Sequence, residues 1–287
     1  MTSEQRTSLD PSLVPVTALH DGTAIPQLGF GVWQIPDDAA EPAVLEALRV
    51  GYRHIDTAAI YGNEGGVGRA VAASGVPRDE IAVVTKVWNG EQGYDSTLRA
   101  YDASLRRLGL EAVDIYLIHW AAPPLGRYVE TWKALVTLHD EGRVRSIGVS
   151  NFHQPHLTEI IDATGVVPVI NQVELHPYLQ QEELRAFHRA HGIATEAWSP
   201  LGQGKGLLDD PVLGEIAAAR GITPAQVVLA WHLANDIVAI PKSATPSRIA
   251  ENLASVTVRL TDDELAAITA LDSGRRFGGN PDTADWT

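Results

Sequence analysis

An aspartate and a tyrosine stand five residues apart in GYRHIDTAAIYGNE, residues 51–64, just after a short apolar run of strand length. The next two apolar runs end on a lysine and a histidine, Lys86 in TKVWN and His119 in YLIHW. The four ionisable groups Asp56, Tyr61, Lys86 and His119, three of them at expected strand ends, suit proton transfer. A free phenol titrates near ~10 and gives up its proton reluctantly at neutral pH. An ammonium beside it lowers that value, and a carboxylate keeps the ammonium charged in a partly desolvated pocket. In this reading Lys86 tunes Tyr61, Asp56 holds Lys86, and His119 donates to the same substrate oxygen and fixes its direction. The chemistry that fits is a carbonyl accepting a proton on oxygen as a hydride reaches its carbon.

Composition supports one member of the set. Of 22 basic residues only four are lysine: Lys86, Lys133, Lys205 and Lys242. A chain that otherwise writes arginine keeps lysine at the end of its third apolar run, where a compact, tunable ammonium is useful.

These groups need a scaffold that brings strand ends together. Strand-like runs fall at 28–31, 53–56, 81–86, 113–119, 145–150, 168–172, 193–198 and 237–241. Helical patterns such as AAEPAVLEALRVG, STLRAYDASLRRLG, YVETWKALVTLHDEG and PHLTEIIDATG lie between them. Eight strand–helix units in 287 residues predict a (β/α)8 TIM barrel whose chemistry gathers at the carboxyl ends of its strands. Asp21-Gly22, between apolar alternations, predicts an N-terminal β-hairpin. One domain over 14–287 is expected, preceded by a flexible tail, 1–13. Polar residues recur at the predicted strand ends: Asp56, Lys86, His119, Ser150-Asn151, Gln172, Trp198-Ser199 and Lys242-Ser243.

A formal charge of −14 argues against nucleic acid or an anionic membrane as partner, which leaves small molecules. With no cysteine there are no disulfides, thiol nucleophiles or thiolate metal sites, so redox chemistry would need an organic cofactor. The polar start MTSEQRTSLDPSLVP lacks a signal-peptide core, and no later run is long and apolar enough to span a bilayer. A cytoplasmic monomer is expected.

The ordered segments GYRHIDTAAIYGNE, TKVWN, DIYLIHW, SIGVSNF, NQVELHP, WSPLGQGKG and IPKSATPSRIAENL resemble those of the aldo-keto reductases, in particular the bacterial 2,5-diketo-D-gluconate reductase-like group. The resemblance runs from about Val16 to about Asp272. It implies a catalytic tetrad of Asp56, Tyr61, Lys86 and His119, with Tyr61 as general acid, and NADPH as cofactor. Ser150, Asn151 and Gln172 match positions that bind the nicotinamide carboxamide, and Trp198 the ring that stacks on it. The run Ser199, Pro200, Leu201, Gly202, Gln203 matches the loop around the pyrophosphate. Lys242, Ser243 and Arg248 match the group that holds the 2′-phosphate, and Glu251 and Asn252 the adenine end. Trp33, Trp88 and Trp120 match positions around a small carbonyl substrate.

The phosphate cluster has a physical case of its own. Lys242 and Arg248 flank Thr245-Pro246, an N-cap and N1 pair, so two cations gather at a helix N-terminus and favour NADP over NAD. Other motifs fail their tests. NEGGVGRA has Val71 where a dinucleotide fingerprint needs glycine, and LGQGKG lacks P-loop spacing. The histidine pairs 153/156 and 188/191 have one-face spacing but no evident third ligand, and read as solvated helix; no metal is expected. Trp132 and Trp231 fall within helical patterns and read as core.

Relatives often have proline where Ala121 follows His-Trp, and the tail from Asp272 offers little basis for transfer; both would border the pocket. Arg275 or Arg276 could reach a substrate carboxylate. Two other classes stay open: an NADPH-binding redox-sensing regulatory subunit, as in the similar potassium-channel β subunits, and a metal-dependent hydrolase on the same scaffold, for which His54-Ile55-Asp56 would form the rim.

Overall fold

A computed structural model describes residues 8–287. Among the described residues there are ten strands and ten α-helices, two of the strands in an N-terminal hairpin and eight alternating with helices as the sequence predicts. The hairpin comes first: β1 (Val16–Ala18) pairs antiparallel with β2 (Ala24–Pro26) around the Asp21-Gly22 turn. Gly22 takes φ +86, which few side chains tolerate. Residues 8–13 of the expected tail are anchored, with the Leu9 N–H donating to the Val50 carbonyl and a short 3₁₀ turn over Pro11–Leu13. Residues 1–7 of that tail lie outside the described residues.

Eight parallel strands follow in chain order: β3 (Phe30–Gly31), β4 (His54–Asp56), β5 (Ala82–Val87), β6 (Ile115–Ile118), β7 (Ser146–Ser150), β8 (Ile170–Glu174), β9 (Ala194–Trp198) and β10 (Val238–Ala239). A parallel bridge between Leu28 and Ala239 joins the last strand to the approach of the first, and the arrangement fits a (β/α)8 barrel. Helices fill the crossovers: α1 (Asp37–Val50), α2 (Glu64–Ala73), α3 (Tyr94–Leu108), α4 (Tyr128–Asp140), α5 (Gln154–Thr164), α6 (Glu182–His191), the pair α7 (Pro211–Arg220) and α8 (Pro224–Ala234), and α9 (Pro246–Ala254), with α10 (Asp262–Thr269) added after the last unit. Apolar residues from the strands and the inward helix stripes form the main core, in which Trp132 and Trp231 are fully buried as expected. Inside the ring a smaller cluster joins Val84, Ile115, Leu117, Ile170 and Val238 to Leu19 and Ile25 of the hairpin, which closes the amino-terminal end. Among the described residues no single helix is long and apolar enough to cross a membrane.

Two boundaries differ from expectation in ways that move the site. The run expected at 168–172 forms its strand over Ile170–Glu174, so Gln172 lies within β8 and not at its end. β10 stops at Ala239, leaving Lys242 and Ser243 on the loop that leads into α9.

Candidate active site

The four ionisable residues meet at the carboxyl end of the ring. Asp56 ends β4 and Lys86 is the penultimate residue of β5; two adjacent parallel strands thus set a carboxylate beside an ammonium. The Lys86 Nζ donates to both Asp56 oxygens, at 2.7 and 2.8 Å, and to the Thr57 carbonyl at 2.8 Å. All three hydrogens of the ammonium are therefore used. Both side chains are buried, a position charges hold only when paired and hydrogen-bonded. Burial pulls the Lys86 pKa down, but Asp56 and Tyr61 outweigh it and the net shift is upward, so Lys86 stays an ammonium.

Tyr61 closes a single 3₁₀ turn after β4. Its ring centre lies 5.3 Å from the Lys86 Nζ and 5.6 Å from the His119 ring, edge to face. The expected lowering of its pKa is overturned. Burial pushes the phenol up, the Lys86 charge only partly offsets this, and the result is about 12. His119 directly follows β6 and packs edge to face against Trp88 at 5.2 Å. Burial, and then Lys86, hold its pKa well below the ordinary value, so the ring is neutral. Its Nδ1 is buried with no partner. An unmet acceptor is cheaper to bury than an unmet N–H, which puts the hydrogen on Nε2.

The residues matched to the nicotinamide end brace one another. Ser150 Oγ donates to the Gln172 carbonyl, and Asn151 Nδ2 donates to Ser150 Oγ and to the His119 carbonyl. Trp198 Nε1 donates to Asn151 Oδ1 at 2.8 Å, fixing the indole over the end of β9. Asn151 holds φ +59 to reach these partners, in the left-handed region that asparagine tolerates better than most residues. Gln172 Nε2 donates to Asp56 Oδ2 at 2.8 Å and to Glu196 Oε2 at 3.1 Å, which commits both amide hydrogens. Its Oε1 has lone pairs to spare for a carboxamide N–H.

Further out, Gln203 Nε2 donates to Ser199 Oγ across the loop Ser199 to Gln203; Pro200 and Gly202 are buried and Leu201 is partly so. Thr245 and Pro246 take the N-cap and N1 positions of α9, but the Thr245 side chain makes no cap bond. The first-turn N–H groups are thereby left for another acceptor. Lys242 and Arg248 are exposed beside them and form no ion pair among the described residues, while Ser243 Oγ accepts from the Thr245 N–H. This donor set fits a phosphate. Glu251 accepts from Thr223 Oγ1 at the start of α8, and Asn252 is buried.

Around the mouth, Trp33 is 42% exposed, Trp88 is half-buried and Trp120 is buried. Trp120 packs on Trp198 at 6.4 Å and on Trp286 at 5.1 Å. Trp286 belongs to the C-terminal segment, which is docked across the site. Glu174, the last residue of β8, accepts from the Phe277 and Gly278 N–H groups at 2.5 and 2.9 Å. His176 lies 3.1 Å from the same carboxylate and Arg276 lies 3.5 Å from it. Burial opposes ionisation of Glu174, but His176 and the two N–H groups prevail and hold its pKa low. Lys205 Nζ donates to the Phe277 carbonyl, linking the segment to the loop after β9. A Cβ on Gly278 would come within 2.3 Å of the Trp198 ring, so this contact requires glycine. Arg275 lies over the Phe277 and Tyr178 rings, at 5.0 and 6.0 Å.

One member of each histidine pair is buried, contrary to expectation, while His191 is exposed as expected. His188 is buried between Asn171 and Thr195, and His156 is buried beside His153, whose Nδ1 lies 2.7 Å from Asp282. Among the described residues no group of three or more His, Cys, Asp or Glu could hold a metal ion. Sequence reasoning missed Glu174, Glu196 and Trp286. Glu196 had one weak signal, an acidic residue in the middle of the predicted strand 193–198, but its register beside Gln172 is visible only in the structure.

A barrel of this build with a Lys–Asp pair, a phenol and an imidazole at its rim defines a class of carbonyl-reducing enzymes. Residues 26–273 match the model of the Aldo/keto reductase family, and the chain belongs to that family. It is 54% identical to an aldo-keto reductase of Mycolicibacterium smegmatis, over 95% of this chain and 99% of that protein. It is 50% identical to the methylglyoxal reductase DkgA of Yersinia pestis, over 94% and 98%. Among solved structures, a mutant of Gox0644 in complex with NADPH has TM-score 0.91 and 52% identity, covering 95% of this chain and 99% of that one.

Proposed function

We propose that this protein is an NADPH-dependent carbonyl reductase on a (β/α)8 barrel, its reductase domain spanning 14–287. The observation that carries the reading is the buried Lys86–Asp56 pair set against Tyr61 and neutral His119. NADPH, when bound, supplies the hydride. Lys242, Ser243, Arg248 and the open first turn of α9 would hold its 2′-phosphate. Ser199, Pro200, Leu201, Gly202 and Gln203 would line its pyrophosphate, Glu251 and Asn252 its adenine, and Gln172, Asn151, Ser150 and Trp198 its nicotinamide end.

Tyr61 gives its proton to the carbonyl oxygen, and the Lys86 charge stabilises the phenolate left behind. His119 donates from Nε2 to the same oxygen and turns it toward Tyr61. Asp56 keeps Lys86 charged and directed. Trp33, Trp88 and Trp120 exclude water from the reacting carbon.

Small uncharged carbonyls, α-dicarbonyls above all, suit this pocket better than keto-sugar acids. Arg276 faces Glu174, and Arg275 is laid over two aromatic rings, so neither reaches for a substrate carboxylate in this arrangement. The similarity to a methylglyoxal reductase supports the same preference, while 2,5-diketo-D-gluconate is the alternative that its wider group suggests. NADPH oxidation measured against aldehydes, α-dicarbonyls and keto-sugar acids tests the reading. No turnover with any of them would overturn it, and a clear preference for keto acids would overturn the substrate class.

A further inference from the structure

Beneath Asp56 lies a buried layer that the mechanism above leaves unused. Glu196, in β9, is fully buried, as is His54, in β4. One Glu196 oxygen accepts from Gln172, the same amide that serves Asp56. The other, Oε1, faces His54 Nε2 at 3.5 Å, and neither atom has a hydrogen-bond partner as both stand. The far side of the imidazole settles its tautomer. Nδ1 lies 3.3 Å from the Pro26 carbonyl, which can only accept, so Nδ1 carries the ring hydrogen. In a neutral ring Nε2 is then a bare lone pair aimed at a carboxyl oxygen. The ring has its place through Gly29, where a Cβ would come within 2.4 Å of Nδ1. Two acceptors facing each other in a dry site cost free energy, and one added hydrogen turns the contact into a bond.

We propose that Glu196 and His54 share one proton at neutral pH, and that this proton makes Glu196 a positioning residue for the Tyr61 site by keeping a second negative charge away from Asp56. This rests on the reading of Asp56, Lys86 and Tyr61 given above. The charge count supports it. Lys86 and Asp56 cancel, so an ionised Glu196 would leave one uncompensated charge in the interior. The groups that face Glu196 are His54 and Asp56 from β4, Lys86 from β5 and Gln172 from β8; β10, at its other edge, offers only Val238 and Ala239. Burial, and then Asp56, push the Glu196 carboxyl up to about 8, and burial takes His54 down to about 4, so the hydrogen resides on Glu196 and is donated to Nε2. When it leaves to solvent at higher pH, the new charge makes Tyr61 hold its own proton more tightly.

Glu196→Gln tests this, because an amide can donate to His54 and accept from Gln172 with no proton to lose. Native wild type holds a proton that an unfolded carboxyl releases above its ordinary 4.5. Wild type should therefore lose stability relative to Glu196→Gln as pH rises from about 4.5 to about 8, and no further above that. The difference in Tm is expected to widen by several degrees across this window; a constant difference overturns the shared proton. This measurement needs no turnover and decides the matter whether or not Tyr61 is the proton donor. In wild type alone, an infrared titration should show a protonated-carboxyl stretch lost near pH 8, and its absence at neutral pH overturns the proposal even if the variant fails to fold. The pH profile of kcat should fall near pH 8 in wild type and lose that fall in Glu196→Gln. Superimposable profiles would overturn the coupling to Tyr61.

Discussion

Tyr61 keeps its proton throughout the neutral range, because burial lifts its pKa to about 12 against the pull of Lys86. The ammonium is thus less a means of ionising the free phenol than a charge in place when the phenolate forms. Tyr61→Phe removes the proton and little else, so turnover should fall by about 10²-fold or more while NADPH affinity, read by quenching of protein fluorescence, stays close to wild type. Lys86→Met removes the waiting charge and strands Asp56 in the interior. It should cut turnover as severely and also lower unfolding stability by roughly 3–5 kcal/mol, measured in urea, a loss Tyr61→Phe should not share. Asp56, Lys86 and His119 were legible because each stands in a short motif at the end of an apolar run, and Tyr61 because it follows Asp56 by five residues in the same motif. Glu196 was not, since alternation along ATEAW does not say which face of a strand looks inward, and only the register beside Gln172 does.

At the scale of elements, two short segments carry selectivity. The open N-terminus of α9 lies beside Arg248, whose guanidinium has no competing partner among the described residues. Arg248→Ala should weaken NADPH about ten- to a hundredfold, the loss of one charge-assisted hydrogen bond worth roughly 1.5–3 kcal/mol, and should leave NADH nearly unaffected. Equal weakening of both would make Arg248 structural. The C-terminal segment depends on Glu174, which gathers two N–H groups, an imidazole and a guanidinium. Glu174→Gln should free the segment, seen as faster proteolytic trimming after Asp272 and a higher KM for the carbonyl substrate. Strands, helices and hairpin could be read from periodicity and turn residues, whereas the docking of DSGRRFGGNPDTADWT could not. That segment has no repeat, and three of its anchors, Glu174, His153 and Asn89, lie more than a hundred residues earlier.

For the molecule as a whole, burial of neutral histidines governs acid tolerance. His54 and His232 are held to about 4 and His188 to about 3, each chiefly by burial, and His119 well below its ordinary 6.5. Below pH 6.5 the unfolded chain binds protons at these sites that the native chain refuses, so stability falls as pH drops from about 6.5 toward 4, by up to roughly 1.4 kcal/mol per unit for each group. Glu196 acts with the opposite sign and offsets one of the four. Thermal melting from pH 7 down to 4 should show a steep loss of Tm, and a flat curve would mean that these imidazoles are protonated in the native state.

The hairpin that closes the amino-terminal end of the ring also sets a clock. Leu19 and Ile25 find their apolar partners on strands that run from Val84 to Val238. A ribosome adding roughly 5–20 residues per second needs about ten to forty seconds to make the chain between Ile25 and Val238. For that time the first apolar residues made are among the last to be covered. A chain released early, or stalled before β10, exposes an unfilled interior and two unpaired strand edges, and such a nascent protein is the form that a chaperone would hold.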